Sequence, residues 1–179
     1  MGQISESSAA LLILAAVSRH DDAFGWTREK TVSTWSSIAL ESDCFDFTET
    51  DYYEASMGTG LKKQFFAYQD LVDPAVLPDI KRQTNTWEEE FAATGDFEVA
   101  RPLNLDPGYI SLGKLVLAST KDHSHRIYLR DGIYAEVTLH YRGKAWQNSP
   151  WTYPDYQRAD FQAFFDECRE YLKMRSRAV

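Results

Sequence analysis

The chain has 179 residues, 44% of them hydrophobic and 14% aromatic, which predicts a single globular domain over residues 1–179. Charged residues make up 26% of the chain, which is too ordinary a share to indicate disorder. Twenty-seven acidic against 19 basic residues give a net charge of −8, so neither nucleic acid nor a membrane surface is predicted as a partner.

Two further features indicate a cytoplasmic protein. The apolar run at residues 9–17 is shorter than the roughly 20 residues of a membrane span, and no Lys or Arg precedes it as in a secretory signal. Cys44 and Cys168 lie far apart and form no C-x-x-C motif, which favours reduced thiols over a disulfide framework or a zinc ribbon.

The first 105 residues predict the order strand, helix, strand, strand, helix, strand. The predicted elements are a doubly buried strand at 11–18, a helix from Thr27 to about Leu40, strands at 44–47 and 61–72, a helix from Asp73-Pro74 to Gly95, and a strand at 99–105. The first helix would turn Val32, Trp35, Ile38 and Ala39 inward. This is the order of a ferredoxin-like split βαβ core, within the α+β class, and other α+β sandwiches share it.

The rest of the chain predicts a turn, a short helix, a β-hairpin and a C-terminal helix. The stretch NLDPGYIS (104–111) is interpreted as a turn because Pro fixes φ and Gly accepts positive φ, and Ser111 would cap a helix to Leu117. Asp131-Gly132, between HRIYLR and IYAEVTLHY, predicts a type I′ hairpin turn. Residues 156–174 predict an amphipathic helix after Asp155.

The hairpin predicts a group of imidazoles. With a two-residue turn, the facing pairs would be His123–His140, His125–Thr138 and Ile127–Glu136. His123, His125, Glu136 and His140 would then project from one face. Such a group could bind a divalent metal or supply a general acid and base, and the alternative is an ordinary solvated face.

Two more stretches suggest a ligand site. Residues 119–144 hold five basic and three acidic residues, which would suit a phosphate or carboxylate group, although an edge strand protected by charge is the alternative. The stretch SPWTYPDY (149–156) presents aromatics on a segment stiffened by two prolines. It could cover a planar ligand or pack on the core.

Four motifs carry a resemblance to a known family. DYYEASMG, NLDPGYISLGKLVLASTKDHSHRIYL, GIYAEVTLHYRG and PWTYPDY are similar to the sequences of a family of uncharacterised bacterial proteins of about 180 residues, catalogued as a domain of unknown function. The positions that match are Asn104, Asp106, Gly108, Tyr109, Lys114, Lys121, His125, Arg126, Tyr128, Glu136 and residues 151–156. His123 and His140 fall outside the pattern, so the resemblance favours His125, Arg126 and Glu136 over the metal site.

Three functional hypotheses follow, and the sequence identifies no cofactor for any of them. The first is binding of a small anionic ligand, as an enzyme or a binding protein. Its catalytic candidates are His125, Glu136 and Asp106, and its ligand-binding candidates are Asn104, Lys121, Arg126, Trp151 and Tyr153. The second is a non-catalytic interaction or scaffold protein, with a homo-oligomer as one form. The third is a metal-dependent hydrolase that uses His123, His125, Glu136 and His140.

Overall fold

The sheet is built around β1 (Ala10–Ser18), all nine residues of which are buried. In the computed structural model, which describes residues 2–3 and 7–177, β1 pairs antiparallel with β4 (Lys62–Val72) and with β5 (Asn104–Ile110). A strand with a neighbour on each side and a core on each face needs a continuous apolar run. The strand predicted at residues 11–18 is therefore confirmed.

The described residues form one nine-stranded antiparallel sheet and four α-helices, so the chain is α+β as predicted. The other strands are β2 (Ile38–Glu41), β3 (Phe45–Asp46), β6 (Lys114–Ser119), β7 (Ile127–Arg130), β8 (Ile133–Arg142) and β9 (Ala145–Asn148). The helices are α1 (Asp22–Thr34), α2 (Glu54–Met57), α3 (Leu77–Ala92) and α4 (Ala159–Arg177). The sheet order is β2-β4-β1-β5-β6-β8-β7, with β3 beside β4 and β9 beside β8.

Helices cover both faces of the sheet. On one face, Phe161 and Phe165 of α4 pack against the side of β1 that carries Leu11. On the other face, α1 and α3 pack against the side that carries Leu12. Because alternate residues of a strand face opposite ways, the residues of β1 from Leu11 to Ala16 contribute in turn to one and then the other of these two cores.

The sequence pattern also identified β4 and α3 correctly. Phe65 faces the α4 core and Phe66 the opposite core, which is the alternation expected of a central strand. A short 3-10 turn at Pro74–Val76 leads into α3, and the Asp73 carboxylate accepts a hydrogen bond from the Ala75 N–H there. The Asp-Pro start is therefore confirmed, since the acid satisfies a free amide at the beginning of the helix.

The helix predicted from Thr27 to Leu40 is wrong in its bounds and in part of its inward face, although Trp35 and Ile38 do pack against the core. α1 ends at Thr34, and residues 38–41 form β2. Thr27 and Thr31 are buried because their hydroxyls donate to the carbonyls four residues earlier. Val32, which was expected to face inward, is exposed. Two buried threonines thus take the place of the apolar stripe.

The stretch NLDPGYI forms β5 and not a turn, and the strand predicted at 99–105 begins only at Asn104. Pairing with β1 overrides the turn propensity of Asp-Pro-Gly. Pro107 lies where β6 does not reach, because β6 pairs only with residues 108–110, so its missing N–H breaks no bond on that side. Gly108 lies where β6 approaches most closely: a Cβ atom there would be 2.3 Å from the Val116 carbonyl oxygen.

The helix predicted from Ser111 to Leu117 is also wrong, because this segment contains most of β6. The Ser111 N–H donates to the Lys114 carbonyl at 2.9 Å and closes a tight connection between β5 and β6. The apolar run that follows, residues 115–118, is buried on both faces of the sheet. A doubly covered strand and a buried helix carry the same apolar content over so short a run.

The β7–β8 hairpin turns at Asp131-Gly132 as predicted, with φ of 54° and 77°, which is typical of a type I′ turn. Arg130 lies opposite Ile133, but a bulge lies between Tyr128 and Arg130, and β7 begins only at Ile127. Residues 123–126 therefore lie in a turn and not in a strand. The predicted pairs that do not form are His123–His140, His125–Thr138 and Ile127–Glu136.

The apolar run near the N-terminus is used by β1, in the middle of the sheet. In the part of the chain that the structure describes, no helix combines the length and the apolar character needed to cross a membrane.

We expect Gly108→Ala to destabilise the protein by about 1–3 kcal/mol, because the new methyl group would overlap the β6 backbone. Gly113→Ala is the matched control, since nothing lies within 4 Å of its Cβ position and its effect should stay within about 0.5 kcal/mol. Urea denaturation measures both. Equal effects of the two substitutions would contradict the close approach of β6 at Gly108.

Candidate functional site

β6 pairs with β5 only from Gly108 onward. Along the earlier residues of β5, two side chains of α3 take the place of a neighbouring strand. β5 stays paired with β1 down to Asn104, whereas its pairing with β6 is restricted to residues 108–110. The Leu105 N–H donates to Glu88 Oε1 at 2.7 Å, and the Leu105 carbonyl accepts from Lys81 Nζ at 2.7 Å. Buried backbone groups must find partners, and here a carboxylate and an ammonium supply them.

Asp106 lies in this gap, on the face of the sheet that α4 covers. Its Oδ1 is 3.3 Å from Lys81 Nζ, and its Oδ2 accepts from Asn104 Nδ2 at 2.7 Å. Burial acts to raise the pKa of Asp106, but Lys81 and Lys63 outweigh it and hold the pKa below its ordinary value. The side chain remains 27% exposed. Asp106 is thus an ionised acceptor that a solute can reach.

A buried ion pair lies beside Asp106. Lys63 of β4 donates to Asp155 Oδ2 at 2.6 Å, and the two side chains are only 4% and 6% exposed. The ammonium also lies 4.5 Å from the centre of the Tyr156 ring. Since two buried charges compensate each other only when both are present, this pair fixes the segment around Asp155 to the sheet.

Glu136 is the centre of a second polar group, on β8. Its Oε2 lies 3.0 Å from His125 Nε2 and accepts from Arg126 Nε at 2.9 Å, and its Oε1 accepts from Thr138 Oγ1 at 3.2 Å. The predicted trio of His125, Arg126 and Glu136 is therefore assembled. Consecutive residues of a regular strand, such as His125 and Arg126, would point to opposite faces. The turn that replaces the strand here lets both reach one carboxylate.

Arg126 is held on all sides. Besides Glu136, its guanidinium donates to Ser119 Oγ at 2.6 Å, to the Lys121 carbonyl at 3.0 Å and to the Tyr153 hydroxyl at 2.5 Å. These bonds occupy four of the five N–H groups of an arginine, and the side chain is 3% exposed. Arg126 thus positions its neighbours and has little capacity left for a ligand.

The segment WTYPDY (residues 151–156) crosses the sheet over the two polar groups. Trp151 Nε1 donates to the Val137 carbonyl at 3.0 Å, and Thr152 Oγ1 donates to the Thr138 carbonyl at 2.6 Å. The segment therefore starts over β8 and reaches β4 through Asp155. Trp151 and Tyr153 are both 41% exposed, so they form a partly open cover over the site.

Tyr153 connects the two groups through its hydroxyl. Burial and the carboxylates of Glu136 and Asp106, opposed by Arg126, raise the pKa of Tyr153 to about 12. Tyr53 lies near Asp106. Burial, and then the charge of Asp106, raise the pKa of Tyr53 even more than that of Tyr153. Both phenols stay protonated at neutral pH, so they can donate hydrogen bonds.

Lys121 and Arg101 lie at the outer edge of the site. The Lys121 ammonium donates to the Tyr52 hydroxyl and sits 4.3 Å from the centre of that ring. This contact lowers the pKa of Tyr52. Arg101 binds Glu88 through Nε and Nη2, at 3.0 and 2.7 Å. Among the described residues, Lys121 makes no ion pair with a carboxylate.

The residues of the metal hypothesis do not come together. His123 stacks on His125, with ring centres 5.8 Å apart, and His125 stacks on Trp151 at 5.3 Å. His140 instead lies at the far end of β8, opposite Lys114. Within residues 2–3 and 7–177, no group of three or more His, Cys, Asp or Glu side chains is placed to hold a metal ion.

A recess of the described surface lies elsewhere. It has a volume of about 500 Å³ and is lined by Ser7, Ala9 and residues 71–73, at the opposite end of β1 from Asp106. Asp73 is its one acidic side chain, and that carboxylate already caps the turn before α3. The concentration of charged and hydroxyl groups therefore distinguishes the Asp106 end of the sheet.

Two clusters can now be defined. The Glu136 cluster contains Glu136, His125, Arg126, Ser119 and Thr138. The Asp106 cluster contains Asp106, Asn104, Lys63, Lys81, Arg101, Asp155, Tyr53, Tyr153 and Tyr156. Every predicted ligand-binding or catalytic residue of the first hypothesis lies in or beside them. Lys63, Lys81, Arg101 and Tyr53 were not predicted, because they are scattered in the sequence and share no local pattern. Asp155 and Tyr156 lie in the stretch SPWTYPDY but were not predicted as site residues.

Comparison with known families gives a match over most of the chain. The family model described as "Domain of unknown function (DUF4416)" matches residues 7–171. This agrees with the resemblance seen in the sequence motifs. No curated protein and no solved structure matched the chain.

We expect Lys63→Met to lower the free energy of unfolding by about 3–5 kcal/mol, because Asp155 would be left buried without a counter-charge. The double variant Lys63→Met/Asp155→Leu should recover most of this loss, since no uncompensated charge remains. Urea denaturation of both variants measures the difference. A loss below about 1 kcal/mol in the single variant would contradict a buried pair.

Asp106→Asn should flatten the dependence of stability on acid pH. The native pKa of Asp106 is lowered, so its ionised form adds stability above the unfolded pKa of about 3.9, and this is lost as pH falls below it. The free energy of unfolding should therefore decline less between about pH 4 and pH 2 in the variant than in the wild type. Identical acid slopes would show that Asp106 is not held in its ionised form.

Proposed function

The chain belongs to the family of the domain of unknown function DUF4416, and we propose from its site that it binds a small anionic ligand between the Asp106 and Glu136 clusters. The observation that carries this proposal is local charge. Around the site, five basic side chains face four carboxylates, a surplus of one positive charge in a chain of −8. The basic residues are Lys63, Lys81, Arg101, Lys121 and Arg126, and the acidic ones are Asp106, Asp155, Glu88 and Glu136.

Lys121 is the group best suited to meet the anion. The other four cations each bind a carboxylate, whereas the Lys121 ammonium contacts a tyrosine hydroxyl and is exposed. An anion that replaces this neutral partner gains a charge-assisted hydrogen bond without breaking an ion pair. Arg101 is close enough to Tyr52 to lower the pKa of its hydroxyl, as Lys121 does. It therefore offers a second positive charge near Lys121. Arg126 positions Glu136 and Tyr153 through its hydrogen bonds.

His125 is the proton carrier if the ligand is also a substrate. Its Nε2 is bound to Glu136, and Nδ1 makes no hydrogen bond within the described residues. An imidazole oriented by a carboxylate at one nitrogen and free at the other can transfer a proton near neutral pH. Trp151 stacks on its ring at 5.3 Å and would hold it in place while forming part of the cover.

A second candidate function is that of a non-catalytic interaction protein. Large apolar side chains are exposed on β7 and on the cover: Ile127, Tyr128, Leu129, Trp151 and Tyr153. β7 is also the last strand of the sheet path, and no strand of the described residues pairs with its outer edge. Sedimentation velocity separates the two candidates: a stable dimer that Ile127→Lys dissociates would favour this one.

Two further proposals concern the arrangement of strands and helices in the core and the cellular location of the protein. We infer a ferredoxin-like split βαβ core, because the order β2-β4-β1-β5 is antiparallel and α1 and α3 lie on one face. We also infer a cytoplasmic location. Cys44 is exposed, Cys168 is buried, and both are free thiols, which suits a reducing compartment.

Inorganic phosphate tests the anion site. At 100 times its dissociation constant, a ligand stabilises the native state by about 2.7 kcal/mol, which raises the melting temperature by several degrees. Lys121→Gln should weaken phosphate binding about tenfold, the worth of one charge-assisted contact. Lys114→Gln, the same change at the other end of β6, is the matched control and should bind as the wild type does.

Differential scanning fluorimetry at matched ionic strength provides the measurement. A shift with phosphate that exceeds the shift with sodium chloride, and that Lys121→Gln reduces, supports the proposal. No shift, or an equal shift in both lysine variants, would contradict it.

A further inference from the structure

Tyr156 carries a buried hydroxyl that the protein leaves without a partner. The residue is 2% exposed, and its hydroxyl makes no hydrogen bond to any described protein atom. Its ring is packed against Phe165, with centres 5.7 Å apart, so the hydroxyl cannot swing elsewhere without loss of core packing. A buried hydroxyl left unsatisfied costs about 1–3 kcal/mol, and such groups need a physical reason.

The surroundings of this hydroxyl are polar. Burial and the carboxylates of Asp155 and Asp106 raise the pKa of Tyr156, and the hydroxyls of Tyr153 and Tyr53 act in the same direction. The phenol therefore remains protonated and is able to donate a hydrogen bond. Three other buried polar atoms of the described residues are unpaired: Tyr68 Oη and Trp146 Nε1 belong to side chains of the apolar cores, and His20 Nε2 to a ring packed on Phe97. Tyr156 differs from them because its ring lies 4.5 Å from Lys63 Nζ, and Lys63 and Asn104 of the Asp106 cluster flank the same residue of β1, Val17.

Asp106 offers the complementary group. Its carboxylate is ionised, is fixed by Asn104 at 2.7 Å and by Lys81 at 3.3 Å, and is partly exposed. A donor phenol and an acceptor carboxylate at the same end of the sheet suit a ligand group that can accept one hydrogen bond and donate another. A hydroxyl group does both. An ammonium group on the ligand cannot accept from Tyr156, and the positive surplus of the site opposes it.

We propose that the ligand is an anion that also carries a hydroxyl group, which accepts a hydrogen bond from Tyr156 and donates one to Asp106. This rests on the proposed function, because Lys121 would hold the anionic group of the same molecule. Hydroxycarboxylates and phosphate esters of polyols share this chemistry. Trp151 and Tyr153 cover its carbon skeleton.

Two probe pairs isolate the hydroxyl contribution. Malate and succinate differ by one hydroxyl group, and glycerol 3-phosphate and n-propyl phosphate share an anion but not hydroxyls. In the wild type, the hydroxylated member of at least one pair should bind about 10- to 100-fold more tightly, because its hydroxyl group makes two hydrogen bonds that are each worth up to about tenfold. The pair that shows the preference identifies the anion as carboxylate or phosphate. Isothermal titration calorimetry measures all four affinities.

Tyr156→Phe should reduce this preference by up to about tenfold, since it removes one of the two hydrogen bonds, and should leave the binding of the member without a hydroxyl unchanged. Tyr68→Phe is the matched control, since it removes another unpaired buried hydroxyl outside the site and should keep the preference. Lys121→Gln should instead weaken both members of the pair.

Three outcomes would contradict the hydroxyl proposal, and one of them would also contradict the proposed anion-binding function. Equal affinities within both pairs in the wild type would overturn the hydroxyl proposal while the anion site stands. A preference that Tyr156→Phe leaves intact would also overturn the hydroxyl proposal. No binding of any of the four anions or of inorganic phosphate would overturn the proposed function and this inference together.

Discussion

The divergence of β5 from β6 is the constraint on which the rest of the structure depends. Close approach at Gly108 joins the two strands, and Pro107 marks the residue at which their pairing stops. Below that point β5 has a partner on one side only. The unpaired edge of Leu105 must then be satisfied by side chains, and the charged residues of α3 that do this are the first members of the Asp106 cluster.

Charge compensation governs what the gap can accept. Lys63 and Lys81 would each be costly to bury alone, and each is matched by a carboxylate, Asp155 or Asp106. The two pairs differ in exposure: the Lys63 pair is closed and fixes the cover, whereas Asp106 can still be reached from outside. Stability and a capacity for binding are thus assigned to neighbouring pairs at the same end of the sheet.

Sequence patterns predicted what local chemistry determines and missed what topology determines. β1 and the type I′ turn followed from apolar run length and from Asp131-Gly132. The Asp-Pro-Gly stretch was misinterpreted because pairing on the β1 side overrides turn propensity. A bulge that no local pattern signals changed the hairpin register, yet His125, Arg126 and Glu136 still met through a turn. Lys63 and Tyr156 meet only because the fold joins β4 to the segment before α4.

The most direct test of the claim that the gap between β5 and β6 is a ligand site is a ¹H–¹⁵N NMR titration of the whole protein with glycerol 3-phosphate. The account predicts that the largest and saturable shifts occur at the amides of residues 104–106 and 119–126 and at the indole N–H of Trp151. Saturable shifts confined to residues 71–73, at the opposite end of β1, would contradict it. A titration with no saturable shift would contradict it as well.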